Sequence, residues 1–255
     1  MDFKSLTITC LTSAGLAVML PLTAYGQESG TGADGGDWEG EAELGVLITT
    51  GNTEETNING RLGLKHEVEK WRNTGDFRSS YSEAEDTTTA ERYRAELETN
   101  YKFSEQQYWF VRAFHEEDRF SGYDFQSSLT TGYGNRVWQD GEKSFLDLSI
   151  GGGYRFNKLE EPGPDGSRDD DEAIARAAGR YDQALSSNAL FRQTLSVEVG
   201  LDNEATTTES ETSIRANIIN SVSMKIAYRV QHLSDPPGDA ESTDTELSVA
   251  LLYGF

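Results

Sequence analysis

From residue 38 to the C-terminus the chain alternates apolar and polar side chains, segment after segment. In one segment Ala42, Leu44, Val46 and Ile48 share a face, while Glu41, Glu43 and Thr49 share the other with Leu47. In another, Tyr93, Ala95, Leu97, Thr99, Tyr101 and Phe103 oppose Arg92, Arg94, Glu96, Glu98, Asn100 and Lys102. Successive side chains of a strand point to opposite faces, so a period of two predicts strands. Twelve follow, at about 38–50, 55–69, 75–83, 92–103, 107–116, 124–138, 144–156, 173–183, 190–201, 211–219, 222–233 and 244–255. At about ten to thirteen residues they exceed the five or six usual in soluble sheets and match a tilted crossing of a bilayer. An even number of long strands, each with one apolar and one charged face, predicts an all-β fold. The architecture expected is a 12-stranded antiparallel transmembrane β-barrel with its apolar faces outward.

With both barrel ends in the periplasm, the connections after even-numbered strands are the periplasmic turns and ought to be short. Ser104 to Gln106, Gln139 to Lys143, Leu185 to Ala189 and Asn220-Ser221 are short, and 157–172 is the longest connection of all. Trp38, Trp71, Trp109 and Trp138 then fall at the periplasmic rim, where an aromatic girdle meets a membrane interface. Tyr81, Tyr93, Phe120, Tyr123, Phe125 and Phe156 are the candidates for the other rim. The final strand alternates to the last carboxylate, and its Leu251, Tyr253 and Phe255 closely resemble the insertion signal of bacterial outer-membrane barrels.

Ahead of the barrel, Lys4, the apolar stretch Leu11 to Leu22 and the small residues around Ala24-Tyr25-Gly26 read as a signal peptide. The expected organisation is a signal peptide over 1–26, a flexible Gly-rich periplasmic leader over 27–37 and the barrel over 38–255. Cys10, the single cysteine, falls in the signal peptide, which leaves the mature chain without disulfides or thiolate ligands.

Composition adds a sign. Among 255 residues, 44 acidic side chains face 22 basic ones for a net charge of −22, which repels nucleic acid. The mean hydropathy of −0.60, with no apolar run of about 18 residues, excludes a bundle of transmembrane helices. It leaves room for a barrel, which needs only every second residue apolar. The expected outer connections (51–55, 84–91, 116–124, 157–172, 202–211 and 234–244) hold 24 acids against Arg119, Lys158 and Arg168, so they carry −21 of the total. Asp165, Asp169, Asp170, Asp171 and Glu172 are the densest acidic group. Hard oxygen ligands suit a weakly held divalent cation, although the spacing lacks the alternating ligands and glycine of a formed calcium loop and favours a solvated acidic loop.

The inward faces are ionic. Arg61, Lys65, Arg78, Arg94, Arg112, Arg155, Arg176, Arg180, Arg192, Arg215, Lys225 and Arg229 face Glu41, Glu43, Glu67, Glu96, Glu98, Asp147, Glu198 and Glu246. The 107–116 segment is apolar on both faces, and Arg112 decides it, because an arginine facing mid-membrane lipid costs about 2 to 4 kcal/mol. Folding each hairpin about its loop centre pairs Glu43 with Arg61, Arg78 with Glu96, Asp147 with Arg180, Glu198 with Arg215, and Arg229 with Glu246. Such charges either ring a water-filled pore or knit the lumen shut. A circular barrel of about 12 Å backbone radius accommodates both.

Catalysis has little to build on. His66, His115 and His232 fall on outward faces near strand ends, and Ser234 follows His232 by two residues with no third orienting group. Gly132-Tyr133-Gly134 and Gly151 to Gly153 lie inside strands with no helix following, where glycine permits bending rather than phosphate binding. The chain reads as no enzyme and as needing no cofactor.

Three stretches resemble the family of salt-induced outer-membrane proteins, itself a family of unknown function. They are Trp38-Glu39-Gly40-Glu41-Ala42-Glu43-Leu44-Gly45 running into Thr50-Gly51-Asn52-Thr53, the corner Glu117-Asp118-Arg119-Phe120-Ser121-Gly122-Tyr123-Asp124, and Gly151-Gly152-Gly153-Tyr154-Arg155. The resemblance covers roughly 38–255 and implies an outer-membrane location and a link to envelope or salt stress, with no activity or functional residues to carry over. The sequence therefore points to a monomeric outer-membrane barrel amid lipid and lipopolysaccharide, inserted by the barrel-assembly machinery. Its expected role is a narrow pore for ions or small solutes. A closed structural or surface-interaction barrel is the alternative, and an interfacial lipid hydrolase a weak third.

Overall fold

A computed structural model describes residues 37–255 apart from 50–54, 86, 164–165, 203–204 and 239. The signal peptide, Cys10, all of the leader but its last residue, and Asp165 lie outside the described residues. Twelve strands form: β1 (Asp37–Thr49), β2 (Glu55–Glu67), β3 (Trp71–Ala84), β4 (Thr87–Lys102), β5 (Gln107–Asp118), β6 (Tyr123–Asp140), β7 (Ser144–Leu159), β8 (Asp169–Ala184), β9 (Ala189–Gly200), β10 (Thr206–Ile219), β11 (Val222–Leu233) and β12 (Thr243–Gly254). Each pairs antiparallel with its neighbours in sequence, and β12 returns to β1 to close a barrel.

Alternation sets the two faces. Leu44, Leu97, Val111, Leu129, Ile150, Ile214 and Val249 stand exposed on the outer wall, whereas Glu43, Glu96, Glu98 and Arg112 line the interior. An exposed apolar band encircling the whole sheet is covered by lipid, as in an outer-membrane barrel. One end carries the tight turns, the start of β1 and the end of β12; we call it the turn end, and the opposite one the loop end.

Several strands outrun the hydrophobic pattern. β3 begins at Trp71 rather than 75, β4 at Thr87 rather than 92, β8 at Asp169 rather than 173 and β10 at Thr206 rather than 211, while β7 runs on to Leu159. The added residues at the loop end, such as Thr87-Thr88-Thr89 and Thr206-Thr207-Thr208, are β-formers without apolar alternation. Outside the lipid both faces are wet, so the alternation stops while the hydrogen-bonded ladder continues. The connection expected over 157–172 shrinks to 160–168, no longer than 234–242. Tyr123, expected at the outer rim, is buried inside, because a bulge between Tyr123 and Phe125 reverses the parity there.

The closing seam differs from every other ladder. β1 pairs with β12 only from Glu41↔Gly254 to Leu44↔Leu251, extended by reciprocal backbone bonds between Gly40 and Phe255 of 2.7 and 2.9 Å. Gly40 is required here, since a Cβ would sit 2.2 Å from the Phe255 ring. Beyond Leu44, β1 stays paired to β2 as far as Thr49↔Glu55, but its described ladder with β12 has ended.

Candidate functional site in the lumen

The interior is crossed by ion pairs. Arg94 of β4 donates Nη1 and Nη2 to both carboxylate oxygens of Glu209 on β10, at 2.6 and 2.8 Å. Arg229 of β11 reaches the same Glu209 at 3.1 Å. Beside them Arg78 of β3 joins Glu211 of β10 at 2.9 Å, and Arg112 of β5 spans Glu96 at 2.9 Å and Glu198 of β9 at 3.3 Å. β4 and β10 are diametrically opposed in a ring of twelve. One arginine and one glutamate together reach far less than the diameter of a circular barrel of that size, so the section is an oval with β4 and β10 on its short axis. The bidentate fork fixes the geometry of this septum as well as its charge.

Cavities lie on either side of it. A vestibule of about 530 Å³ at the loop end is lined by Asn59, Ser80, Arg92, Asp118, Arg229 and Gln231, among others. Another of about 570 Å³ at the turn end meets Arg72, Arg94, Tyr108, Arg136, Arg180 and also Arg229. Between them remain two small voids of about 70 and 40 Å³.

The twelve lumen charges named from sequence, Glu43, Arg61, Arg78, Arg94, Glu96, Arg112, Asp147, Arg180, Glu198, Arg215, Arg229 and Glu246, all lie on inward-facing positions of the barrel wall. Their partners differ. Glu43 pairs with Arg61 in register and at 2.5 Å. Asp147 lies opposite Arg180 and Arg229 opposite Glu246, yet Asp147 is held by Arg136, Arg180 by Asp182 and Arg229 by Glu209. Two expected pairs are wrong. Arg78 lies opposite Arg94, not Glu96, because a tight turn and a bulge at Ser82/Glu83 shift the hairpin. Glu198 lies opposite Thr207, not Arg215, because the connection is only 201–205. Arg215 instead pairs with Glu41 of β1, and Glu198 with Arg112, Arg155 and Arg176.

Asp76, Glu116, Asp118, Arg136, Asp182, Glu209 and Glu211 also face inward and escaped the sequence reading, as does Glu172, which the sequence pattern places in an acidic loop. Parity could have found them: stepping back by twos from Arg215 gives Ser213, Glu211 and Glu209, and stepping on from Arg112 gives Phe114, Glu116 and Asp118. The acidic residues 169–172 are not a loop. Asp169, Asp170, Asp171 and Glu172 open β8, where Glu172 is buried against Arg155 at 3.1 Å and Asp170 accepts from Asn157, while Asp169 and Asp171 are exposed on the other face. A strand sends alternate carboxylates apart, so these four do not converge on one ion. Asp165 is outside the described residues.

On the outer wall Trp71, Tyr101, Trp109 and Tyr133 are successive register partners across β3 to β6 near the turn end. Trp38 stacks on His66 at 4.5 Å, and Trp138 lies 6.0 Å from Tyr181. Leu251, Tyr253 and Phe255 are exposed there too. His232 bonds Thr243 at 2.8 Å and Ser234 accepts from the Thr206 amide at 2.8 Å, so these two do not form a catalytic pair. A different set aligns: His115 Nδ1 lies 2.8 Å from Ser127 Oγ and its Nε2 lies 3.5 Å from Glu117. His115 and Ser127 are register partners within the β5–β6 ladder, where strand N–H groups serve inter-strand bonds rather than an oxyanion. The inner glycines serve packing. A Cβ on Gly151 would sit 2.9 Å from the Phe110 ring, and one on Gly134 would sit 2.1 Å from that of Tyr108.

Comparison with known proteins gives the family. The chain is similar to the NanC porin (12% identity, 86% of this chain and 98% of that one, TM-score 0.47). It is also similar to the translocator domain of the autotransporter NalP from Neisseria meningitidis (13% identity, 88% and 89%, TM-score 0.44). It is 28% identical over 221 residues to the uncharacterized protein YdiY of Escherichia coli (strain K12), covering 86% of this chain and 83% of that one. Residues 42–255 match the family described as protein of unknown function, DUF481, and the chain belongs to that family.

Proposed function

We propose that this barrel is a narrow pore for ions or small solutes in the bacterial outer membrane, with the Arg94–Glu209–Arg229 septum as its constriction. The observation that carries the reading is that Arg229 lines both vestibules. Side chains of the septum separate the two vestibules, and side chains move where a backbone plug would not. The ordinary state is closed or nearly so, and conduction requires the septum pairs to part. Raising ionic strength weakens those pairs in proportion to their access to water, which fits a role under salt stress. The chain would reach its site by export on the signal peptide 1–26 and by insertion through Leu251, Tyr253 and Phe255. It would sit as a monomer in lipid and lipopolysaccharide, with Trp38, Trp71, Trp109 and Trp138 at the periplasmic interface.

Single-channel recording of the refolded protein in planar bilayers tests this. Small unitary currents are expected from the wild type, and Glu209→Gln, which removes the charge shared by Arg94 and Arg229, raises open probability or conductance several-fold. Silence in both proteins rejects the pore. It favours the second reading, a closed barrel serving envelope integrity or surface contact, whose support is that Arg112, at 4% exposure, bridges Glu96 and Glu198 through Nη2 and Nη1.

A further inference from the structure

The turn-end vestibule has one place where cations outnumber the carboxylates that hold them. Arg180 of β8 donates Nε and Nη2 to the two oxygens of Asp182, at 3.0 and 2.8 Å. Arg192 of β9 donates the same pair of atoms to the same two oxygens, at 2.9 and 2.8 Å. Asp182 is only 3% exposed, whereas the arginine side chains are 45% and 32% exposed. Two guanidiniums thus share one buried carboxylate, and one positive charge is left over on the water side. Asp147, in register with Arg180, cannot supply the balance, since Arg136 holds it bidentately at 2.7 and 3.0 Å. Nor can Glu198, already divided among Arg112, Arg155 and Arg176. Glu142, on the turn below, also lines the vestibule, and among the described residues it bonds neither arginine. The Arg180 guanidinium lies over the Phe145 ring at 5.1 Å, and the small residues Ser149, Ala178, Gly179 and Thr194 that also line the vestibule leave its side chain 45% exposed.

We infer that Arg180 and Arg192, held apart from the wall by Asp182, form a binding site for a small oxyanion, a carboxylate or phosphate group of a solute entering from the turn end. The planar fork of an arginine keeps donors free after one edge is committed: Nη1 of both residues has no partner in the bonds to Asp182, and a second oxyanion can use it. The leftover charge supplies attraction and the shared carboxylate supplies orientation. As a statement about what the pore carries this rests on the pore reading, but binding itself does not require conduction.

Phosphorus NMR line broadening of inorganic phosphate, titrated with the refolded barrel in detergent micelles, measures the site directly. Saturable broadening is expected from the wild type, and the double variant Arg180→Gln/Arg192→Gln weakens it at least about tenfold, the loss of one charge-assisted hydrogen bond. Asp182→Asn, which leaves both guanidiniums without their carboxylate, strengthens it. The opposite signs guard against misfolding, because a collapsed barrel loses binding in both. Acetate competing with phosphate marks a general oxyanion site, and acetate without effect narrows the ligand to phosphate groups. No saturation in the wild type, or equal broadening in the double variant, overturns the site. Saturation without single-channel current leaves the site standing and removes the pore; current without saturation does the reverse.

Discussion

The wall built from β6, β7 and β8 and the seam between β12 and β1 are made of the same kind of strand, yet they behave as opposite extremes. β6 and β7 pair from Tyr123↔Leu159 to Asp140↔Ser144, and β7 with β8 from Phe145↔Asp182 to Lys158↔Asp169. Behind that wall the lumen is filled: Phe110, Arg112, Arg155, Glu172 and Ile174 are all buried. The seam pairs at four positions and then parts, and the loop-end vestibule is lined there by Gly45, Val46 and residues 244–249. Inward-facing glycines account for the contrast on the packed side, because Gly132, Gly134 and Gly151 let strands and rings approach more closely than any side chain allows. The septum, carried by β4, β10 and β11, stands between the packed wall and the parted seam.

The largest effect tests the packed wall. Gly151→Val drives new carbons into the Thr131 carbonyl oxygen, 2.4 Å from the first of them, and into Phe110. The expected outcome is failure to refold, seen as loss of the compact, heat-modifiable band on a gel. Ser248→Val, which places the same side chain beside the loop-end vestibule, is expected to refold normally. Equal tolerance of both would show that the two sides are packed alike.

Next comes charge. Arg112, 4% exposed, is the buried partner of Glu96 and Glu198, and Arg112→Leu is expected to cost about 3 kcal/mol in urea unfolding. Arg215→Leu removes a partner of Glu41 where the arginine is 33% exposed, and solvent screening holds its cost to about 1 kcal/mol or less. Similar losses at the two sites would mean that the lumen is uniformly wet.

These same residues explain what could be read in advance. The strand count, the closure and the inward set from Arg112 to Arg229 follow from a period of two, which lipid outside and water inside impose on every crossing strand. Which guanidinium meets which carboxylate does not follow. Glu43 and Arg61 are adjacent in a hairpin whose connection fixes the register, so their pairing was legible. Arg94 and Glu209 are 115 residues apart and meet only because the barrel flattens, a global property with no local signature. The Glu209 and Glu211 positions were hidden for a simpler reason: their strand begins in a run of threonines that no apolar alternation marks.

The smallest effect probes the seam. Along one strand pair, Leu44 lies opposite Leu251, and continuing that register would place Ile48 opposite Leu247. A double cysteine at 44 and 251 meets the short Cα separation a disulfide needs and is expected to oxidise readily in the refolded barrel. A double cysteine at 48 and 247 has no ladder holding the two backbones together and is expected to stay reduced under the same conditions. Neither substitution touches the lumen charges, so the readout is gel mobility alone, with stability scarcely changed. Efficient oxidation at both levels would mean that the two strands close along their full length, and that the loop-end vestibule is sealed from the lipid. Oxidation only at the lower level leaves unpaired backbone groups at the outer part of the seam. Such groups are costly in hydrocarbon, so the parted stretch must lie where water reaches it, at or above the membrane surface.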